Sequence, residues 1–349
     1  MPDFDIQGLK QQLASTDSSQ YPMANQIEQG VLLYDADTLA GDPETAKAEL
    51  YSALLGGPGI FVVRNLIQDH EIIDRASEIF DQIIEREKSA GGRQGDHFAK
   101  PGANDRIWNS FEKHCLADPE NFAAYYSNDV LALICHAWLG PAFQMTAQVN
   151  RVNPGGNAQR AHRDYHLGFM TQEQIGAYPP SVHQISPMLT LQGAIAHVDM
   201  PIEAGPTMYL PHSQKWHDGY LYASEFEVQA LFAEKMVQLP LNKGDGAFFN
   251  PALLHGAGEN RSNNIYRLGN LLQVSSAMGR PMEQVDRAGM LASLAPILSN
   301  DAWDAAGRRL LIDIVADGYP FPADLDVSPP VGGLAPPSQA QKTKDHYGL

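Results

Sequence analysis

Cysteine is nearly missing from this sequence. Cys115 and Cys135 are its only two, which excludes a disulfide framework and makes a reducing, cytoplasmic setting the expectation. Basic residues are also scarce. Lys and Arg number 24 against 41 Asp and Glu, a formal net charge of −17, so neither nucleic acid nor an anionic membrane is an expected partner, because phosphate binding requires a basic surface. Long apolar runs are absent too: stretches such as "ALLGGPGIFVV" are short and broken by Gly and Pro, and do not suit a bilayer span. The opening "MPDFDIQGLKQQL" lacks the basic and apolar regions of a secretory signal. Hydrophobic residues, by contrast, make up 44% of the chain, ample for a large buried core and a globular fold.

The 349 residues exceed the usual single-domain length, although elaborated β barrels reach that size as one unit. No internal repeat is visible, and one low-complexity stretch stands out, the Pro-rich tail 320–349 with "VSPPVGGLAPPSQ", expected to be extended. "GIFVVRNLI" is β-rich, and Asp69 is the expected N-cap of a helix that puts Ile72, Ile73, Ala76, Ile79, Phe80, Ile83 and Ile84 on one face. Asn128 or Asp129 caps "VLALICHAWLG", with Gly140-Pro141 as its stop. From about 143 to 278 the texture changes to "FQMTAQVNRV", "MLTLQGAIAHV", "TMYLP", "GAFFN" and "YRLGNLLQVS", short strands at the spacing of a sandwich or barrel. Ser224 and Glu227 suggest a capping box ahead of "FEVQALFAEKM". The expected organisation is a single domain over 1–319: a helical N-terminal elaboration to about 142, a mainly β core over 143–278 and C-terminal helices over 280–317, followed by the tail.

The stretch "QRAHRDYHLGFM" carries His162, Asp164 and His166 at two-residue spacing. On a strand, His162 and Asp164 share a face about 7 Å apart and can converge on one metal. A third ligand from a distant strand would complete a 2-His-1-carboxylate site with open positions. The same spacing also fits a polar strand that binds nothing. A second H-x-D, His197 and Asp199 in "AIAHVDM", ends an apolar strand before a turn, so it reads as supporting or turn-stabilising. His255, in "GDGAFFNPALLHGAGENRS", is the candidate third ligand, with a loop histidine as its bland alternative. Arg267 follows on "IYRLGNLLQVS"; a buried Arg there wants a carboxylate or phosphate, or else makes a structural ion pair.

Together, "HRDYH", "EAGPTMYLPHSQKW", "GDGAFFNPALLHGAGENRS" and "YRLGN" resemble the phytanoyl-CoA dioxygenase family of Fe(II)/2-oxoglutarate oxygenases, over about 59–276. The resemblance implies a double-stranded β-helix, the jelly-roll or cupin-like barrel, with flanking α-helices. His162, Asp164 and His255 match the iron ligands. Arg267, on its strand, matches the partner of the distal carboxylate of 2-oxoglutarate better than Arg261 in the "ENRSNN" turn does. Ala204 stands where the family usually has Asn, and "PHSQKW" departs from the commoner Pro-Gly-Ser-His; neither is a ligand position. Related halogenases carry a small residue in place of the carboxylate, so Asp164 points to oxygenation. His166 is placed in the substrate or cosubstrate pocket, because three ligands from one strand would crowd the metal.

The implied reaction is hydroxylation of a small molecule at a C–H bond, with 2-oxoglutarate and O2 as cosubstrates and succinate and CO2 as products. Gln148 is a candidate for holding the cosubstrate; Arg151 and Trp216 are candidates for the substrate pocket, with core packing the commoner role for Trp216. The loop 91–106, with Arg93, Lys100 and Arg106, is either a lid over an anionic substrate or a solvated loop. A polar or anionic metabolite is the favoured substrate class. Two other functions use the same residues. A His₂Asp site also suits zinc and hydrolysis, and a barrel of this kind can bind a ligand without turnover.

Overall fold

The computed structural model describes all residues except 1–3, 14, 92–101, 165–169 and 322–324. Strands β1 (Gln26–Glu28), β2 (Val31–Asp35), β3 (Ile60–Arg64), β4 (Asn104–Ile107), β5 (Gln144–Val152), β6 (Thr190–Ala196), β7 (Met208–Tyr209), β8 (Val237–Gln238), β9 (Gly246–Phe249), β10 (His255–Gly256) and β11 (Arg267–Ser275) form two sheets. The larger has eight strands in the order β1-β2-β3-β9-β6-β11-β5-β4, and the smaller has three, β10-β7-β8. All pairs are antiparallel except β2 with β3. This is the double-stranded β-helix with flanking helices that the resemblance implies.

Alternation along β11 sorts its residues between two environments. Leu268, Leu272 and Val274 point outward into the main core, against the helices His70–Ser89, Ser110–Ala117 and Asp129–Leu139. Arg267, Gly269, Leu271 and Gln273 point into the barrel. Their partners Val152, Asn150, Gln148 and Thr146 on β5, and Ala196, Ala194 and Gln192 on β6, share that inner face. A second apolar cluster, including Ile60, Val62, Tyr209, Leu241 and Phe249, fills the space between the two sheets.

The helical readings hold at their caps. Asp69 accepts from Glu71 N at the start of His70–Ser89, and Asn128, not Asp129, caps Asp129–Leu139. Gly140 closes that helix at φ 72°. Three expectations need correction. The N-terminal part holds more strand than the one expected at "GIFVVRNLI", because β1, β2 and β4 also extend the edges of the large sheet; these strands are short, and "QIEQGVLLYD" has no alternation to mark it. The helix Phe226–Lys235 begins after Glu225 with no side-chain cap, so Ser224 and Glu227 form no capping box. The tail carries a helix, Gln339–Tyr347, capped by Ser338 and docked through Ala340. Among the described residues no helix is long and apolar enough to cross a membrane.

A buried polar network ties the helices to the outer face of the sheet. His197 meets Ser77 Oγ at 2.9 Å through Nδ1 and the Tyr125 hydroxyl at 2.9 Å through Nε2. His114 meets Asn121 Oδ1 at 2.8 Å. Burial pushes His197 down to about 3 and His114 down to about 4. Both are neutral in the fold, whereas the unfolded chain takes up protons near pH 6.5. Their contribution is therefore complete above pH 6.5 and is lost as pH falls. Between pH 6.5 and 5, above the carboxylate range, unfolding free energy is expected to drop by up to about 1.4 kcal/mol per pH unit for each histidine. Urea unfolding of the metal-free protein at pH 7, 6 and 5 measures this, and equal stabilities at all three would contradict it.

Candidate metal and cosubstrate site

His162, Asp164 and His255 lie together at one mouth of the barrel, with one potential ligand atom from each within 4.8 Å of the others. His162 is not in a regular strand. It makes an isolated bridge with His255, closed by His162 N to His255 O at 2.9 Å and His255 N to His162 O at 3.0 Å. Asp164 N then bonds Pro251 O at 3.1 Å. The two-residue alternation thus survives without a formal strand, and it sends Arg163 the opposite way. The Arg163 guanidinium is buried, donates to the carbonyls of Ser213 and Trp216, and lies over the rings of Trp216 and Tyr220. Gly219 leaves room for it, since a Cβ there would stand 1.9 Å from Arg163 Cζ. Arg163 is therefore the anchor that holds the ligand-bearing stretch against the Ser213–Tyr220 segment.

Both imidazoles are oriented by the backbone. His162 Nδ1 lies 3.0 Å from Arg160 O and His255 Nδ1 lies 2.8 Å from Leu253 O. A carbonyl only accepts, so each Nδ1 carries the proton and each Nε2 presents its lone pair inward, the tautomer a metal needs. His162 Nε2 is 3.8 Å from Asp164 Oδ1, and His255 Nε2 is 3.6 Å from Asp164 Oδ2. Burial raises the Asp164 pKa, but protonation of either neighbouring imidazole at Nε2, in place of a metal, would lower it, as does the Gln192 amide, and the net effect holds the carboxyl well below its usual range. Its side chain stays 35% exposed, so the site opens to the mouth. The Phe249 ring packs 4.7 Å from the His255 ring, and the Tyr220 hydroxyl donates to Asp164 O at 3.1 Å.

Arg267 is buried inside the barrel. Its Nη1 makes two long contacts, 3.4 Å each, to Ala204 O and Gly258 O, and no carboxylate among the described residues lies within ion-pair reach. Burial lowers its pKa to about 10, against the opposing influence of Tyr209. The Tyr209 ring, cross-strand from His255, lies 5.2 Å from Phe249. Gly205 turns the chain beside it at φ +71°, where a Cβ would meet Glu259 O at 2.3 Å, which explains the Gly of "EAGPT". On the inner face between Arg267 and Gln192, Gly269, Ala194 and Ala196 present small side chains.

The remaining candidates divide. Gln148 faces the interior, fully buried, with Oε1 accepting from Arg106 and Nε2 near Met282 Sδ at 3.3 Å. Arg151 points outward instead, because it lies one residue out of phase with Gln148 and Asn150; it pairs with Asp105 at 2.7 Å and Asp81 at 2.7 Å. Trp216 is not a pocket wall. It is buried with Leu9, Leu210 and Val228, where helix Ile6–Gln12 covers it. Arg106 belongs to β4, not to a loop, and stacks 4.6 Å over Trp108. His166, Arg93 and Lys100 lie outside the described residues. His197 and Asp199 are away from the metal site: His197 serves the helical network, and Asp199 accepts from Lys243 N in its turn.

Two residues at the site were not anticipated. Gln192 donates through Nε2 to Asp164 Oδ2 and to Gln273 Oε1. Their only trace in the sequence is a lone glutamine in each of two apolar strands, "LTLQGAIA" and "LLQVS".

The chain matches the family model described as Phytanoyl-CoA dioxygenase (PhyH) over residues 57–268. Dioxygenase cdmD of Talaromyces verruculosus is 27% identical over 248 residues, which cover 64% of this chain and 73% of that protein. Dioxygenase olcK of Penicillium canescens is 24% identical over 262 residues, or 68% of this chain and 74% of that protein. Among solved structures, SnoK, a non-heme alpha ketoglutarate dependent carbocyclase from nogalamycin biosynthesis, aligns with a TM-score of 0.49 at 17% identity, covering 72% of this chain and 92% of SnoK. The chain belongs to the phytanoyl-CoA dioxygenase family, and is an Fe(II)- and 2-oxoglutarate-dependent oxygenase-type enzyme.

Proposed function

We propose that this member of the phytanoyl-CoA dioxygenase family hydroxylates its small-molecule substrate at a C–H bond, with His162, Asp164 and His255 as the iron ligands. The donor set fits the metal: two imidazoles of fixed tautomer and one carboxylate on one side, with the mouth open on the other. When bound, iron with 2-oxoglutarate and O2 supplies the oxidation of the C–H bond and the release of succinate and CO2. The residues supply position and charge. His162 and His255 keep their Nδ1 protons on backbone carbonyls, so their Nε2 atoms need no reorganisation to bind. Asp164 brings the single negative charge of the site and stays ionised.

The observation that carries the cosubstrate assignment is Arg267, a buried guanidinium with two long carbonyl contacts and no acidic partner among the described residues. A desolvated cation is costly unless an anion completes it, and the planar fork suits a carboxylate bound through both oxygens. The far carboxylate of 2-oxoglutarate is that anion, with the keto-acid end directed to the triad past Gly269, Ala194 and Ala196. Gln148 forms part of the wall beside this path. The basic loop gives the substrate assignment no support, since its one described arginine, Arg106, is engaged on β4.

The test is mass-resolved turnover. Candidate small molecules incubated with the Fe(II) enzyme, 2-oxoglutarate and ¹⁸O₂ are expected to give one succinate for each product that carries one added ¹⁸O. Stoichiometric succinate with a product that gains no oxygen would replace hydroxylation with desaturation, cyclisation or epimerisation.

A further inference from the structure

We propose that Gln192 is a positioning residue for Asp164, its side-chain amide holding one carboxylate oxygen so that the other is the metal-binding one. This rests on the assignment of Asp164 as a metal ligand. Along β6 the inner face carries Thr190, Gln192, Ala194 and Ala196, and Gln192 lies between Gln273 on β11 and Phe249 on β9. The amide orientation is determined by chemistry. Its nitrogen contacts Asp164 Oδ2, which only accepts, and Gln273 Oε1 at 3.2 Å, and a flipped amide would set its oxygen against the carboxylate. The Gln192 amide is thus braced by Gln273 and turned with its nitrogen on Asp164.

The other end of the amide shows that the fold gains little from it. Gln192 is 2% exposed, and its Oε1 is buried with no donor among the described residues. An unsatisfied buried acceptor typically costs about 1–3 kcal/mol. An apolar side chain of similar volume would fill the position without that deficit, so the amide is explained by what its nitrogen does to Asp164. With Oδ2 engaged, Asp164 binds through Oδ1, the oxygen facing His162 at 3.8 Å. A carboxylate held to one oxygen would take up less of the metal's surroundings than one binding through both, leaving room for the cosubstrate.

Co(II), which is redox-stable in air at such sites, is the probe. Its dissociation constant is read from visible absorption, and the melting temperature of the metal-free protein is measured alongside. For Gln192→Leu and Gln192→Met the expected result is a constant weakened about 10- to 100-fold, with the metal-free melting temperature unchanged or higher. Gln273→Leu, which leaves the Asp164 contact in place, is expected to weaken binding less. Asp164→Ala separates the two claims. Loss of Co(II) in Asp164→Ala with wild-type affinity in both Gln192 variants overturns the positioning role and leaves the ligand assignment standing. Wild-type affinity in Asp164→Ala removes the ligand assignment and the positioning role with it. A metal-free melting temperature lowered in both Gln192 variants makes the residue part of the fold and also overturns the inference.

Discussion

Asp164→Ala is expected to weaken metal binding by roughly 10²–10³-fold and to bring 2-oxoglutarate-driven succinate formation to background. The magnitude follows from the worth of one ligand. Four-ligand protein sites bind zinc with about 10–16 kcal/mol, or roughly 2.5–4 kcal/mol for each ligand, and each 1.4 kcal/mol is about tenfold. Asp164 is also the only anion of the triad, so the variant leaves a dication facing two neutral imidazoles. The fold should tolerate the change, because the Asp164 backbone bonds to Pro251 and Tyr220 remain. Titration of metal-free wild type and variant with Fe(II) under argon, with circular dichroism to verify folding, measures the effect. Undiminished Fe(II) affinity in a folded Asp164→Ala would place the metal elsewhere.

Arg267→Leu is expected to separate the cosubstrate from the metal. Removing one partner of a buried charged pair typically costs about 2–5 kcal/mol, so the dissociation constant for 2-oxoglutarate should rise by roughly 30- to 3,000-fold, while Fe(II) affinity stays within a small factor. Arg267→Lys keeps the charge but loses the planar fork, and falls between the two. Arg261→Ala, outside the barrel strand, should leave 2-oxoglutarate binding unchanged. The stability of the ligand-free protein supplies a second sign: an uncompensated buried guanidinium is unfavourable, so Arg267→Leu should not lower the melting temperature. The readout is the visible charge-transfer absorption that forms when 2-oxoglutarate is added anaerobically to the Fe(II) protein. A hydrolase using the same triad has no need of a dicarboxylate clamp, and in it neither the absorption nor its dependence on Arg267 would appear.

The parts of the site legible in the sequence are those whose chemistry is rare in their context. A carboxylate between two histidines in a Gly-flanked stretch, a histidine after a Gly-Asp turn and an arginine on an apolar strand all stand out by residue type. The structure brings His162, Asp164 and His255 together and buries Arg267 inside the barrel. The barrel strands β5, β6, β9 and β11 were visible for a similar reason, as apolar runs bounded by Gly, Pro and Asn. Residues whose role depends on which way they point were not. Arg151 and Gln148 sit three apart on β5, and only the register decides that one faces Asp105 and the other faces the interior. Gln192 was invisible because a glutamine in a strand carries no chemistry until its neighbour is known. For Trp216 the residue type favours packing over a pocket wall, but its packing partner, helix Ile6–Gln12, lies some two hundred residues away in sequence and is not legible locally. The short strands β1, β2 and β4 draw their stability from sheet pairing, which local pattern does not encode.

The measurement that reaches the central claim most directly is an anaerobic crystal structure of the Fe(II)- and 2-oxoglutarate-loaded enzyme, with diffraction recorded on both sides of the iron absorption edge. The anomalous peak is predicted to lie about 2.0–2.2 Å, the usual nitrogen and carboxylate coordination range, from His162 Nε2, His255 Nε2 and one oxygen of Asp164. The far carboxylate of 2-oxoglutarate is predicted on the guanidinium of Arg267. An iron peak away from the three side chains, or a cosubstrate whose far carboxylate leaves Arg267 without an anion, would contradict the account.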